Sequence, residues 1–125
     1  MEKPGVVVVN ADRQESLEIV ALLTDLAYRP TPLYKLGDLA RHLRKNPARV
    51  VILDLDTMAA DNQFFRTLKK EHPDLVVLST SSRTYHPELE EALGSHVYAC
   101  LGKPLDQDEL SYWLRSIIDN QSNSG

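Results

Sequence analysis

The chain has 125 residues, 42% hydrophobic and 26% charged, and a formal net charge of −4 from 14 Lys+Arg against 18 Asp+Glu. That length supports one domain, because two would each be too small to bury a good core. The apolar content excludes a disordered chain, 5 Gly and 7 Pro exclude a collagen-like one, and the acidic balance argues against direct nucleic-acid binding.

The first element is Val6-Val7-Val8-Val9, a β-branched run that suits a parallel strand buried on both faces. Leu17, Val20, Leu23 and Ala27 then recur at helical spacing, and Asp12 with Glu15 forms a capping box at the start. Thr31 to Tyr34 is a weaker strand, and Pro30 and Pro32 remove backbone donors and predict a sheet edge. Leu36, Leu39 and Leu43 mark a short helix that ends before Pro47. Val50 to Leu53 is a second strongly apolar strand, followed by a helix through Phe64, Phe65, Leu68 and Lys69 that ends at His72-Pro73. Leu75 to Leu78 is the next strand, and Pro87 to Leu93 fits a short helix with Gly94 just past its end. Val97 to Leu101 is the last strand. Leu110, Trp113, Leu114, Ile117 and Ile118 form the closing helix, started by a second capping box of Asp106 and Glu109.

Five strands alternating with five helices imply an α/β fold: a doubly wound, five-stranded parallel sheet with helices on both faces. Residues 1–119 make up that domain, and residues 120–125 read as a polar tail or linker, the pattern of a module cut from a longer protein. No apolar run approaches the roughly 20 residues a bilayer span needs, and no secretion signal opens the chain. The single Cys100 forbids an internal disulfide and fits a reducing cytoplasm, where it reads as a small apolar filler on its strand. His42, His72, His86 and His96 show no ligand spacing and are expected at the surface, whereas Trp113 is expected to anchor the core. The clusters Arg41, Arg44, Lys45 and Arg66, Lys69, Lys70 read as solvated helix faces.

In such a sheet, function gathers in the loops at the carboxyl ends of the strands. Asp54 ends the third strand there and Asp56 follows two residues on. Thr80 and Ser81 close the fourth strand among Ser79, Ser82 and Thr84, a hydroxyl cluster suited to an anionic oxygen. Lys103 closes the fifth, placed to pair with a carboxylate or phosphate, and its bond to Pro104 is a candidate for the cis form. Each group taken alone also reads as ordinary turn or cap chemistry.

Together they carry a resemblance. Ile52-Leu53-Asp54-Leu55, Leu78-Ser79-Thr80-Ser81 and Gly102-Lys103-Pro104-Leu105, in that order and spacing, resemble the receiver domain of two-component response regulators. The resemblance runs from Val6 to about Ile118. It implies that Asp54 accepts a phosphoryl group from a histidine kinase with Mg²⁺ bound, that Thr80 is the switch hydroxyl, and that Lys103 pairs with the phosphoryl group. It further implies a fused or separate output domain and pairing into homodimers, with a role in signalling rather than enzymatic turnover.

Several positions depart from the family pattern. Two acidic residues usually follow the first strand and hold the metal, and here they are Asn10 and Ala11. Asp12 comes next as a substitute ligand, but its capping role competes for the same side chain, and Asp56 adds further negative charge. Thr57-Met58-Ala59 replaces the usual Met-Pro pair, and Cys100 stands where an aromatic switch residue is usual, with Tyr98 two residues earlier. These departures support a second reading, a pseudo-receiver that works as a phosphorylation-independent interaction module. A small α/β enzyme is disfavoured, because Asn10 to Gln14 carries neither the glycines nor the hydroxyls of a phosphate loop and no nucleophile elbow appears.

Overall fold

The structure is a computed structural model that describes residues 5–123, with side chains to Asp119. Its elements run β1 (Gly5–Val9), α1 (Arg13–Asp25), β2 (Arg29–Leu33), α2 (Gly37–Lys45), β3 (Val50–Asp54), α3 (Asn62–Glu71) and β4 (Val76–Ser81). An irregular helix over residues 87–96 follows, then β5 (Ala99–Gly102) and α4 (Gln107–Asn123). All neighbouring strands are parallel and the sheet order is β2-β1-β3-β4-β5, so the proline-bearing β2 lies at an edge as expected. The expected domain boundary at residue 119 falls inside α4, whose backbone continues to Asn123. The end of the expected tail, residues 124–125, lies outside the described residues.

The two faces of the sheet divide the core by alternate residues. Val6, Val8, Val50, Ile52, Leu78 and Leu101 pack against α1 and α4 through Ile19, Leu23, Leu110 and Leu114. The intervening Val7, Val9, Val51, Leu53 and Val77 pack against Leu39, Phe65, Leu68 and Leu89 of the other helices. The unbroken apolar runs are therefore the mark of strands covered on both sides.

Local differences from the periodicity have identifiable causes. α1 buries Ser16, Ile19 and Leu23, while Leu17 is 62% exposed. Ala27 lies beyond its end, because the Tyr28 N–H donates to Leu23 O and the Ala27 N–H to Thr24 O, the paired bonds of a Schellman stop. The irregular helix starts as a 3₁₀ turn at Pro87–Leu89 and ends as a π turn at Ala92–His96, so Gly94 is inside it rather than past it. The Val97 N–H closes that turn on Ala92 O at 2.8 Å. His42, His72 and His96 are partly exposed, as expected, but His86 is buried, with Nε2 3.2 Å from Arg83 O, so the expectation of a surface position is corrected for His86. Cys100 is exposed on the last strand of the sheet and is not a core filler. Trp113 sits at the margin of the core, edge-on to Tyr98 and Tyr112. Among the described residues no helix is long and apolar enough to cross a membrane.

Two predictions follow from these details. Ala27 holds φ 69°, in the left-handed region that costs a side chain about 1–2 kcal/mol, and its side chain is exposed. Ala27→Gly is expected to stabilise the domain by about 0.5–1 kcal/mol, read as a higher urea midpoint at unchanged slope. The second concerns Glu91, which accepts from Arg66 Nε at 2.9 Å and Nη2 at 2.7 Å and lies 3.1 Å from His96 Nε2. The hydrogen bonds from Arg66, then that from His96, hold its carboxyl at about 2, below the ordinary 4.5. A lowered carboxyl pKa contributes stability above the unfolded value and loses it as pH falls through the folded one. Glu91→Gln should therefore lower the melting temperature at neutral pH, and its gap to the parent should close between pH 4.5 and about 2.

Candidate functional site

The alternation that builds the core also builds the rim. Val8, Ile52, Leu78 and Leu101 face α1 and α4, and two residues further along each chain stand Asn10, Asp54, Thr80 and Lys103. Asp54 pairs in register with Thr80, and Thr80 with Leu101, so the carboxyl ends of β3, β4 and β5 are aligned. Three groups far apart in sequence thereby meet. Thr80 Oγ1 donates to Asp54 Oδ1 at 2.9 Å, and Lys103 Nζ lies 2.7 Å from the same oxygen. The Lys103–Pro104 peptide bond is cis.

Asp54 is 1% exposed, and its other oxygen, Oδ2, accepts the Thr57 N–H at 2.9 Å. An ionised carboxylate at that depth is tolerable because it is paired and hydrogen-bonded; deleting one partner of such a pair costs about 3–5 kcal/mol. Lys103 Nζ also lies 2.8 Å from Asp56 Oδ2 and 2.8 Å from Glu15 Oε1. One ammonium thus serves three carboxylates. Burial works against its charge, but the bonds to Asp54, Asp56 and Glu15 outweigh burial and raise its pKa above the ordinary lysine value. Asp56 is fixed from the other side by the Ser82 N–H at 3.0 Å and by Ser81 Oγ at 3.4 Å. Burial opposes its charge too, yet Lys103 and the Ser82 N–H hold its carboxyl below the usual range.

Glu15 is the site residue that the helical pattern hides. Its place in the capping box predicts a bond back to Asp12, but the Asp12 N–H donates to Asn10 Oδ1 at 2.8 Å instead. Asp12 performs its half of the box, with Oδ1 accepting from the Gln14 and Glu15 N–H groups. The Glu15 side chain turns to the rim, where it takes Lys103 and also the Asn10 Nδ2 donor at 3.0 Å. Thr57 is the other unanticipated member. Its Oγ1 accepts the Ala11 N–H at 3.0 Å and donates to Asn10 Oδ1 at 3.3 Å, tying the first and third rim loops together. The loop that resembled a disrupted Met-Pro motif is therefore a connector, and Met58 is buried in the core.

The resemblance implies Mg²⁺, a hard cation that favours carboxylate and water oxygens. The residues present do not fit it. Asn10 is 1% exposed and spends both ends of its amide on Glu15, Asp12 and Thr57, and the Ala11 side chain has no ligand atom. Asp12 faces the helix start, and the oxygens of Asp54 and Asp56 are engaged by Lys103 and by backbone or hydroxyl donors. Among the described residues no group of three or more acidic, His or Cys side chains is arranged to hold a metal ion. Access to the rim is through an open cleft of about 360 Å³ between α1 and the β5–α4 loop, which Glu15, Leu22, Thr80, Lys103 and Leu105 line. Thr80 and Lys103 face that cleft, and Asp54 lies behind them.

No family model matches the sequence, and neither does any curated protein. Solved structures do match. A CheY-like receiver domain protein from Methanospirillum hungatei JF-1 is similar with a TM-score of 0.86 at 13% identity, over 98% of this chain and 99% of that one. The signal receiver domain of an HD domain-containing protein from Pseudomonas fluorescens Pf-5 gives 0.85 at 17% identity, over 97% and 98%. NtrX from Brucella abortus gives 0.82 at 18% identity, where 98% of this chain spans 28% of the longer protein. At these identities the shared property is the backbone path, and the chain has the CheY-like fold of response regulator receiver domains.

Proposed function

We propose that the chain is a receiver module of two-component signalling, in which Asp54 accepts a phosphoryl group from a partner histidine kinase and the change switches a fused or separate output domain. The observation that supports this is the meeting of Asp54, Thr80 and Lys103 at one rim of a receiver fold, at 2.7 Å and 2.9 Å. The span of 28% of NtrX supports an output domain in the same or another chain.

The chemistry asked of the rim is modest. An Asp54 oxygen forms a bond to phosphorus as the phosphorus–nitrogen bond of a phosphohistidine breaks, and the electron pair returns to the donor imidazole. The protein contributes positioning and charge. Lys103 stands where it can shift from the carboxylate to the equatorial phosphoryl oxygens, and the Thr80 hydroxyl can turn from Asp54 to the same oxygens. Asp54 is 1% exposed with Lys103 and Thr80 on one oxygen and the Thr57 N–H on the other, so this reading requires the rim to open before a donor can approach. That burial, with Asn10 and Ala11, favours the second reading, a receiver fold that binds its partner without being phosphorylated.

Incubation with acetyl phosphate or phosphoramidate separates the two. The proposal expects the intact mass to rise by one phosphoryl group, Asp54→Asn to abolish the gain, and Lys103→Met to slow it about 10²-fold by removing the cation from the transferring group. A parent whose mass never changes, with either donor and with or without Mg²⁺, establishes the phosphorylation-independent reading instead.

A further inference from the structure

The arrangement of carboxylates around Lys103 says which cation this rim uses. A divalent ion shared by several carboxylates neutralises their mutual repulsion. Here Asp54, Asp56 and Glu15 already converge on one point, and the atom at that point is Lys103 Nζ, at 2.7, 2.8 and 2.8 Å. Glu15 arrives there by giving up its capping bond, and Asn10, buried next to it, fixes it through Nδ2. The Lys103 side chain is 18% exposed, so its charge is set by these partners more than by water.

We propose that the Lys103 ammonium is the resident cation of this rim, that Glu15 is the positioning residue that completes its carboxylate cage, and that the domain takes no divalent ion at millimolar concentration. This deepens the receiver reading, since the cation that meets a phosphoryl group on Asp54 would be Lys103 alone. Asn10 and Ala11 carry no acidic side chain, and the nearby Glu15 carboxylate serves the amine rather than a metal. Removing the amine leaves three carboxylates 2.7, 2.8 and 2.8 Å from the vacated point, a set that becomes a divalent-ion site only by drawing in to the roughly 2.0–2.1 Å of a Mg²⁺ ligand.

The test reads metal binding directly, without a phosphodonor. The parent is titrated with Mn²⁺ while amide line broadening is followed by NMR, and with Mg²⁺ while the melting temperature is followed. No selective broadening around Asp54 and Thr80 is expected, and no shift in melting. Lys103→Met should bind Mn²⁺ at the rim more tightly than the parent by about an order of magnitude or more, and Mg²⁺ should raise its melting temperature. Adding Glu15→Gln to Lys103→Met should remove most of that gain. If Lys103→Met folds only when Mg²⁺ is added, that is the same gain seen another way. Selective broadening in the parent that Asp54→Asn abolishes overturns the proposal, as does a Lys103→Met protein that takes no metal or that Mg²⁺ fails to fold. Phosphoryl transfer assayed in chelator keeps the two claims apart. A parent modified only when Mg²⁺ is present retains the receiver reading and sinks this one, whereas a parent that is never modified but also binds no metal does the reverse.

Discussion

A carboxylate sealed from water must have a counter-charge, and at the carboxyl rim of this sheet that condition is met by Lys103 and Asp54. The pair is 2.7 Å apart with Asp54 1% exposed, and Thr80 Oγ1 and the Thr57 N–H satisfy what the lysine does not. Its partners come from the ends of β3, β4 and the loop after β5, so the pair can exist only if those three strands hold register. The converse also holds. A few kilocalories lost by breaking a buried pair is a large share of the roughly 5–15 kcal/mol that stabilises a typical domain. Site and fold are therefore not separable here, and any event that draws Lys103 away from Asp54 acts on both.

Much of this was legible in the chain because strands have a period of two. Four apolar runs lead into Asn10, Asp54, Thr80 and Lys103, each two residues beyond a strand residue of the α1/α4 face, and a parallel sheet in register brings alternate residues to one face. Pro30 and Pro32 marked the edge strand for an equally local reason, the missing backbone donors. Elements decided by tertiary context were not legible. Glu15 looked like a capping residue because the local pattern is satisfied by Asp12 alone; only the arrival of a lysine 88 residues away claims its side chain. Leu17 and Ala27 fit a helical period, but the sheet lies against Ser16, Ile19 and Leu23, one residue round the helix. Cys100 looked buried because its neighbours are apolar, yet β5 is an edge strand of the sheet and Cys100 is exposed there.

The departures from the receiver motif compose a consistent set once the hydrogen bonds are traced. Replacing a carboxylate by Asn10 removes a charge and adds a donor, and that donor goes to Glu15. Replacing the Met-Pro pair by Thr57 and Met58 adds a hydroxyl that closes the first and third loops on each other through Ala11 and Asn10. The buried Asn10 side chain is partnered at both ends of its amide, its Nδ2 by Glu15 and its Oδ1 by Thr57 and the Asp12 N–H. Neutral loops held by hydrogen bonds thus stand where a metal would draw carboxylates together, and the attraction that remains is concentrated on one amine.

That concentration has a consequence for how the domain could change state. A phosphoryl group brings roughly −1.5 to −2 charges to a rim that already holds one cation against three carboxylates. Lys103 cannot stay 2.8 Å from both Glu15 and Asp56 while it follows new oxygens on Asp54. Glu15 sits in the first turn of α1, and Asp56 is bonded to the Ser82 backbone at the start of the loop that leads into the irregular helix. If a phosphoryl group drew Lys103 away, both contacts would be released together, one on each face of the sheet. A ligand shifts an equilibrium only through contacts that differ between the states. On the proposed reading the differing contacts would be those of the three carboxylates that share a single ammonium.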